Sequence, residues 1–195
     1  MIRHAAIAVA ILLSAGQTPV RPMWRAHEAP AEMRPAIQRA ELIVVEVQGA
    51  LLAELTRALR AGGEASALRS CHLDAIGLTQ RIGRQSGIAV GRTSDRLRSP
   101  TNLAPAWAAP VVSRFAGAPF KGIDTYVVDL GDRIGVMQPI VTGRMCLGCH
   151  GPDERLSTGV RKELKTYYPA DRGRGFDEGD LRGWFWVEVP RSPRD

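Results

Sequence analysis

Between Pro35 and Ala61 the apolar residues Ile37, Val44, Val47, Leu51, Leu55 and Leu59 return at helical spacing, with charged residues between them. That period marks one face of an α-helix. Pro35 suits a first helical turn and Gly62-Gly63 supplies a stop, so a long helix is expected over 36–61. A second stripe, Leu68, Cys71, Ala75, Leu78 and Ile82, predicts another helix over 64–85. On it Cys71 sits mid-stripe, facing inward, while His72 is turned about 100° away. Downstream the period shortens. Residues 88–93, 125–130, 134–141 and 184–189 read as strands, and Gly131-Asp132 joins the middle pair as a hairpin. Short helices are expected over 106–115 and 153–165. The order predicts an α+β domain, an antiparallel sheet with helices on one side.

The two ends of this pattern differ from its middle. Residues 1–16 combine a basic start at Arg3, an apolar run from Ala5 to Leu13 and a small-residue exit at Ser14-Ala15-Gly16. This is the form of a secretory signal peptide, and the run is short for a membrane span. Residues 17–35 carry Pro19, Pro22, Pro30 and Pro35 and read as a loosely packed arm. The remainder, 36–195, is long enough for one compact domain. The formal charge is +6, from arginines scattered along the chain. Such a surface can steer acidic redox partners, and it does not argue for nucleic acid.

The candidate chemistry is concentrated in Cys146-Leu147-Gly148-Cys149-His150, a C-x-x-C-H pentapeptide in a chain with only three cysteines. This is the attachment pattern of c-type haem: two thiols add to the vinyl groups and the following histidine becomes an axial iron ligand. A four-ligand zinc site would need a second pair at matching spacing, and only Cys71-His72 could offer one. Export and motif agree, because bacterial haem of this kind is attached outside the cytoplasm. A periplasmic location and one covalent haem c follow.

For the opposite face of the iron the spacing leaves several candidates. Met145 abuts the motif, Met137 lies on the hairpin, and His27 falls with Met23 and Met33 in the proline-rich arm. Cys71 and His72 share a helix but diverge, so one pose admits one of them. Cys71 read as a small buried hydrophobe competes with Cys71 as a ligand. Arg92 and Arg98 are candidates for the propionates, since guanidinium matches carboxylate bidentately. Trp107, Tyr168 and Phe176 are candidate walls, while Asp180 and Arg182 are expected to fix a turn.

The chain resembles the PAS-like single-haem c-type cytochrome family of cyanobacteria and proteobacteria. The likeness rests on Cys71, Gly91-Arg92-Thr93-Ser94, Arg98-Ser99-Pro100-Thr101-Asn102, Trp107, Cys146 to Gly151, Tyr168-Pro169, Gly175-Phe176 and residues 179–183. It implies a PAS-like antiparallel sheet with flanking helices and a long N-terminal helix. It also implies an axial pair of His150 and Cys71, with His72 as rival. The function implied is redox sensing or low-potential electron transfer, not enzymatic turnover. An open or His72-bound distal site would instead support gas binding or a peroxidase-like reaction. The partners expected are a redox protein or a membrane sensor component, with no nucleic acid. A homodimer through the 36–61 helix is the alternative to packing that helix on its own domain.

Overall fold

The computed structural model describes residues 21–192; the expected leader over 1–16 lies outside the described residues. Its strands are β1 (Met23–Arg25), β2 (Ala89–Thr93), β3 (Tyr126–Asp129), β4 (Arg133–Val141) and β5 (Leu181–Pro190). Its helices are α1 (Arg34–Ser86), α2 (Ala109–Arg114), α3 (Leu147–His150) and α4 (Thr158–Tyr167). All five strands form one antiparallel sheet in the order β1-β3-β4-β5-β2. The architecture is α+β, as the pattern predicts.

The sheet's period of two sorts its side chains into two layers. Val127, Ile134, Val136, Phe185, Val187 and Val189 face α1, where Ile37, Ala40, Val44 and Val47 meet them. Tyr126, Val128, Met137 and Trp184 face the other way, under Ala108, Val111 and Val112. The expectation of helices on one side is therefore corrected, because α2 covers the second face. Continuous apolar runs such as Tyr126-Val127-Val128 and Trp184-Phe185 carry the reason, since a strand apolar on both faces needs cover on both.

The arm is corrected as well. From Met23 it forms an edge strand on β3, and Ala29 and Met33 are buried. A three-residue strand gives too little alternation to read among four prolines. The last strand begins at Leu181, three residues earlier than expected, and α4 is preceded by a separate 3-10 turn at Asp153–Arg155. There Ser157 caps the helix, its hydroxyl accepting from the Val160 amide at 3.2 Å.

α1 is one hydrogen-bonded run whose dihedrals break at Gly62 and Gly63. Gly63 has φ +66°, which glycine alone adopts without strain, so the expected division into two helices is realised as a kink. The first half lays the Ile37, Val44 and Val47 stripe on the sheet. The second half carries Cys71 and packs Leu68 against Leu156, Val160, Leu164 and Tyr168, with Cys149 at the edge of that cluster. The kink thus presents two successive helix faces to two different partners. No helix among the described residues is long and apolar enough to cross a membrane.

Candidate functional site

The C-x-x-C-H segment leaves β4 and folds into a 3-10 turn, Arg144–Cys146, followed by α3. Cys146, Cys149 and Cys71 are all free thiols. The segment is clamped from two sides. The amides of Gly175 and Phe176 donate to the carbonyls of Gly151 and His150 at 2.9 and 3.0 Å. On the other side the Glu64 carboxylate, one residue past the α1 kink, packs directly on Gly148, where a Cβ would have no room.

His150 ends α3 with its Nδ1 2.6 Å from the Gly173 carbonyl. A carbonyl can only accept, so Nδ1 carries the proton and Nε2 keeps its lone pair. Arg98 Nη1 is 3.5 Å from Nε2, at the limit of a hydrogen bond. Burial pushes the imidazole well below its ordinary pKa, and Arg182 and Arg98 add to the effect. A neutral histidine with one nitrogen tethered and a lone pair on the other is in the form that metal ligation requires.

Arginines surround this ring. Arg98 donates through Nη2 to the carbonyls of Cys149 at 2.5 Å and Gly173 at 3.1 Å, and pairs with Asp171 at 3.3 Å. Arg174 meets the same carboxylate at 3.2 Å. Arg96 lies 3.5 Å over the Phe176 ring, with Arg182 5.0 Å from the same centroid. Burial lowers Arg182 to about 10, with Arg98 the next cause. Asp171, with its side chain 2 % exposed, organises the group: its Oδ1 also accepts from the Gly173 amide at 2.7 Å. One carboxylate therefore holds both Arg98 and the backbone whose carbonyl tethers His150.

Cys71 lies on the same side. Its electrostatic neighbours include Arg92 and Arg98, and it acts in turn on Cys149 and Tyr168. Burial raises the Cys71 thiol and takes Cys149 to about 11. Burial likewise takes Tyr168 to about 12, with Cys71 as its second cause. The structure thus brings together Cys71, Arg92, Arg98, Cys149, His150 and Tyr168.

Other sequence-stripe candidates fall elsewhere. His72 is exposed, its ring 5.0 Å from that of Tyr167 and 5.2 Å from Tyr168. Trp107 is not brought to the cluster. It lies on the α2 face, packed over Gly135, and its Nε1 donates to Glu188 at 2.7 Å. Met137 is fully buried in that same layer, Met145 is exposed, and His27 pairs on the surface with Asp124 at 3.1 Å. Asp180 does fix a turn, accepting from the Asp177 amide at 2.8 Å. Arg182 does not: its Nε comes within 3.1 Å of His150 Nδ1, where two donors meet and no hydrogen bond forms once Nδ1 donates to the Gly173 carbonyl. Arg96 and Asp171 escaped the reading of the sequence. Their one signal in the sequence is position, Arg96 between Ser94 and Arg98 and Asp171 just after Tyr168-Pro169.

The Tll0287-like family model matches residues 12–190, nearly the whole chain. The chain belongs to the Tll0287-like family. A solved structure, the cyanobacterial haem protein Tll0287, superposes with a TM-score of 0.61 at 18% identity. The match covers 86% of this chain and all of that one, so the α+β architecture of this family member is shared across its length. No curated protein matches the chain.

Proposed function

We propose that this protein is an exported, single-haem c-type protein with His150 and Cys71 as axial ligands, working in redox sensing or low-potential electron transfer. The observation that carries the reading is the state of His150: within C-x-x-C-H, it has Nδ1 tethered to Gly173, while Nε2 keeps a lone pair with Arg98 Nη1 3.5 Å away. Family membership and the likeness to a haem protein support it.

The donor set fits the group. Cys146 and Cys149 would form the thioethers, and Cys71, which interacts electrostatically with Cys149, would supply the sulfur ligand. Arg92 and Arg98 supply cations for two propionates, and Arg182 adds a third. Tyr168 and Phe176 give apolar walls beside them. Bound haem supplies a one-electron iron couple. The residues set its value: a thiolate favours ferric iron and a lower potential than a thioether would, and the Gly173 carbonyl makes His150 a stronger donor. The PAS-like form of the sheet, the signal peptide over 1–16, the periplasmic location and a redox or sensor partner belong to the same reading.

The test is purified holoprotein, wild type beside Cys71→Ser. Pyridine haemochrome spectra should show haem that resists acid-acetone extraction. Low-temperature EPR should show a low-spin ferric signal of thiolate type, lost in the variant. Extractable haem would overturn the covalent reading. An EPR signal unchanged in Cys71→Ser would overturn the axial pair.

A further inference from the structure

The stripe from Ile37 to Val47 is occupied by the sheet, but the first half of α1 carries a second one. Leu42, Val45, Gly49, Leu52, Thr56 and Leu59 follow one another at alternating steps of three and four residues. At 100° per residue this line lies almost opposite the Ile37 stripe, on the outer side of the helix. Leu42 is 69% exposed, Val45 65% and Leu52 46%. The Thr56 hydroxyl donates to the Leu52 carbonyl at 2.8 Å, so the line receives its methyl group. Exposed apolar residues scattered singly are ordinary, whereas a line of them at this spacing is the pattern of a coiled-coil seam.

Gly49 makes a notch in the line. A Cβ on it would meet nothing within 4 Å, and Gly49, Leu52, Ala53, Thr56, Arg57 and Arg60 line one open groove. The charges beside the line are divided by end. Glu41 and Glu46 flank Leu42 and Val45, while Arg57 and Arg60 flank Thr56 and Leu59. Arg57 is taken by Glu54 on its own helix. Among the described residues Glu46 and Arg60 have no ion-pair partner.

We propose that this face pairs with the same face of a second copy of the chain, the two α1 helices running antiparallel across a twofold axis. Setting Leu42 against Leu59 of the second copy puts Val45 against Thr56 and Gly49 against Leu52, so a leucine fills each glycine notch. The same register brings Glu46 to Arg60 of the second copy, and the twofold axis repeats that pair. A parallel pair would instead set Glu41 beside Glu46, where like charges repel. The seam is about 26 Å long, and its helix is already formed and fixed on the sheet, so pairing orders little new chain. Helix pairing and packing of the Ile37 stripe on its own domain are therefore not alternatives. Neither face involves Cys71 or the C-x-x-C-H segment.

The test is sedimentation equilibrium of the purified holoprotein over a range of concentrations, with thermal melts to check that each variant folds. Wild type should show a reversible monomer–dimer equilibrium. Leu52→Glu should weaken the dimer by about tenfold or more, because the seam would bury a carboxylate. Leu103→Glu, at an exposed leucine outside α1, should leave it unchanged. Glu46→Arg and Arg60→Glu should each weaken the dimer, and the two together should restore it. Wild type that stays monomeric, or a dimer untouched by Leu52→Glu, would overturn the pairing. A dimer strengthened by Glu46→Arg would overturn the antiparallel register. Monomeric protein that sediments with phosphatidylcholine vesicles, and no longer does so as Leu52→Glu, would give this face to a lipid surface instead.

Discussion

The layer between α1 and the sheet and the cluster around His150 are both buried, but by opposite means. The first is made of Ile, Val, Ala and Phe side chains sorted by the alternation of β3, β4 and β5. The second is made of arginines, a carboxylate, a histidine and thiols held by directional bonds. Burying apolar area stabilises by about 25 cal/mol per Å² without regard to direction. Burying guanidinium groups costs free energy that hydrogen bonds only offset. One region therefore keeps the fold, while the other is a charged recess that the fold supports at some cost. The largest expected effect follows from that contrast. Phe185→Ala should cost about 3–5 kcal/mol by opening a cavity in the apolar layer. Urea unfolding checks this. A loss under 1 kcal/mol would mean that the layer does not dominate stability.

A smaller effect is expected in the charged recess. Asp171→Ala leaves Arg98, Arg174 and the Gly173 amide without their shared acceptor. The expected loss is about 2–3 kcal/mol, below that of a wholly buried pair, because Arg98 keeps the Cys149 and Gly173 carbonyls. The variant should also loosen His150, which ¹⁵N NMR of the imidazole reads as a weakened Nδ1 hydrogen bond. A destabilised protein with an unaltered imidazole signal would separate Asp171 from the positioning of His150.

What the sequence discloses divides along the same line. The stripe from Ile37 to Val47 and the 126–128 and 184–187 runs are legible because apolar burial leaves a period in the chain. Cys146, Cys149 and His150 are legible because their chemistry needs fixed offsets. Asp171, Arg96 and Arg182 are not, since each acts through a contact with a residue distant in sequence. Arg98 reaches Asp171 across 73 positions and Arg182 reaches His150 across 32. Trp107 shows the converse. The resemblance implies a place beside the cofactor for Trp107, and the fold puts it on the far face of the sheet against Glu188. β1 was hidden because three residues carry no readable alternation.

Trp107→Phe sharpens this separation. It keeps an aromatic ring over Gly135 and removes the donor to Glu188. A half-buried hydrogen bond to a carboxylate contributes about 1 kcal/mol. Thermal unfolding should fall by that amount, while the His150 and Cys71 environments stay as they are. A change in the Cys71 signature would tie Trp107 to the recess.

The smallest effect lies at the hairpin between β3 and β4. Asp129 accepts from Arg191 at 2.7 Å and from the Gly131 amide at 2.8 Å, and these bonds hold its carboxyl below the ordinary range. The Arg191 bond is the larger cause. A carboxylate depressed in the folded state contributes stability that is complete above its unfolded pKa, about 3.9, and is lost as pH falls through the lower folded value. Half-exposed partners limit the contribution to less than about 1 kcal/mol. Arg191→Ala should therefore lower stability slightly at pH 7, and the gap to wild type should close on acidification below pH 4. Added salt should narrow the gap at pH 7 by screening. A gap that persists undiminished at low pH would assign the loss to the Arg191 guanidinium on the Gly131 carbonyl, which does not titrate, and not to its pairing with Asp129.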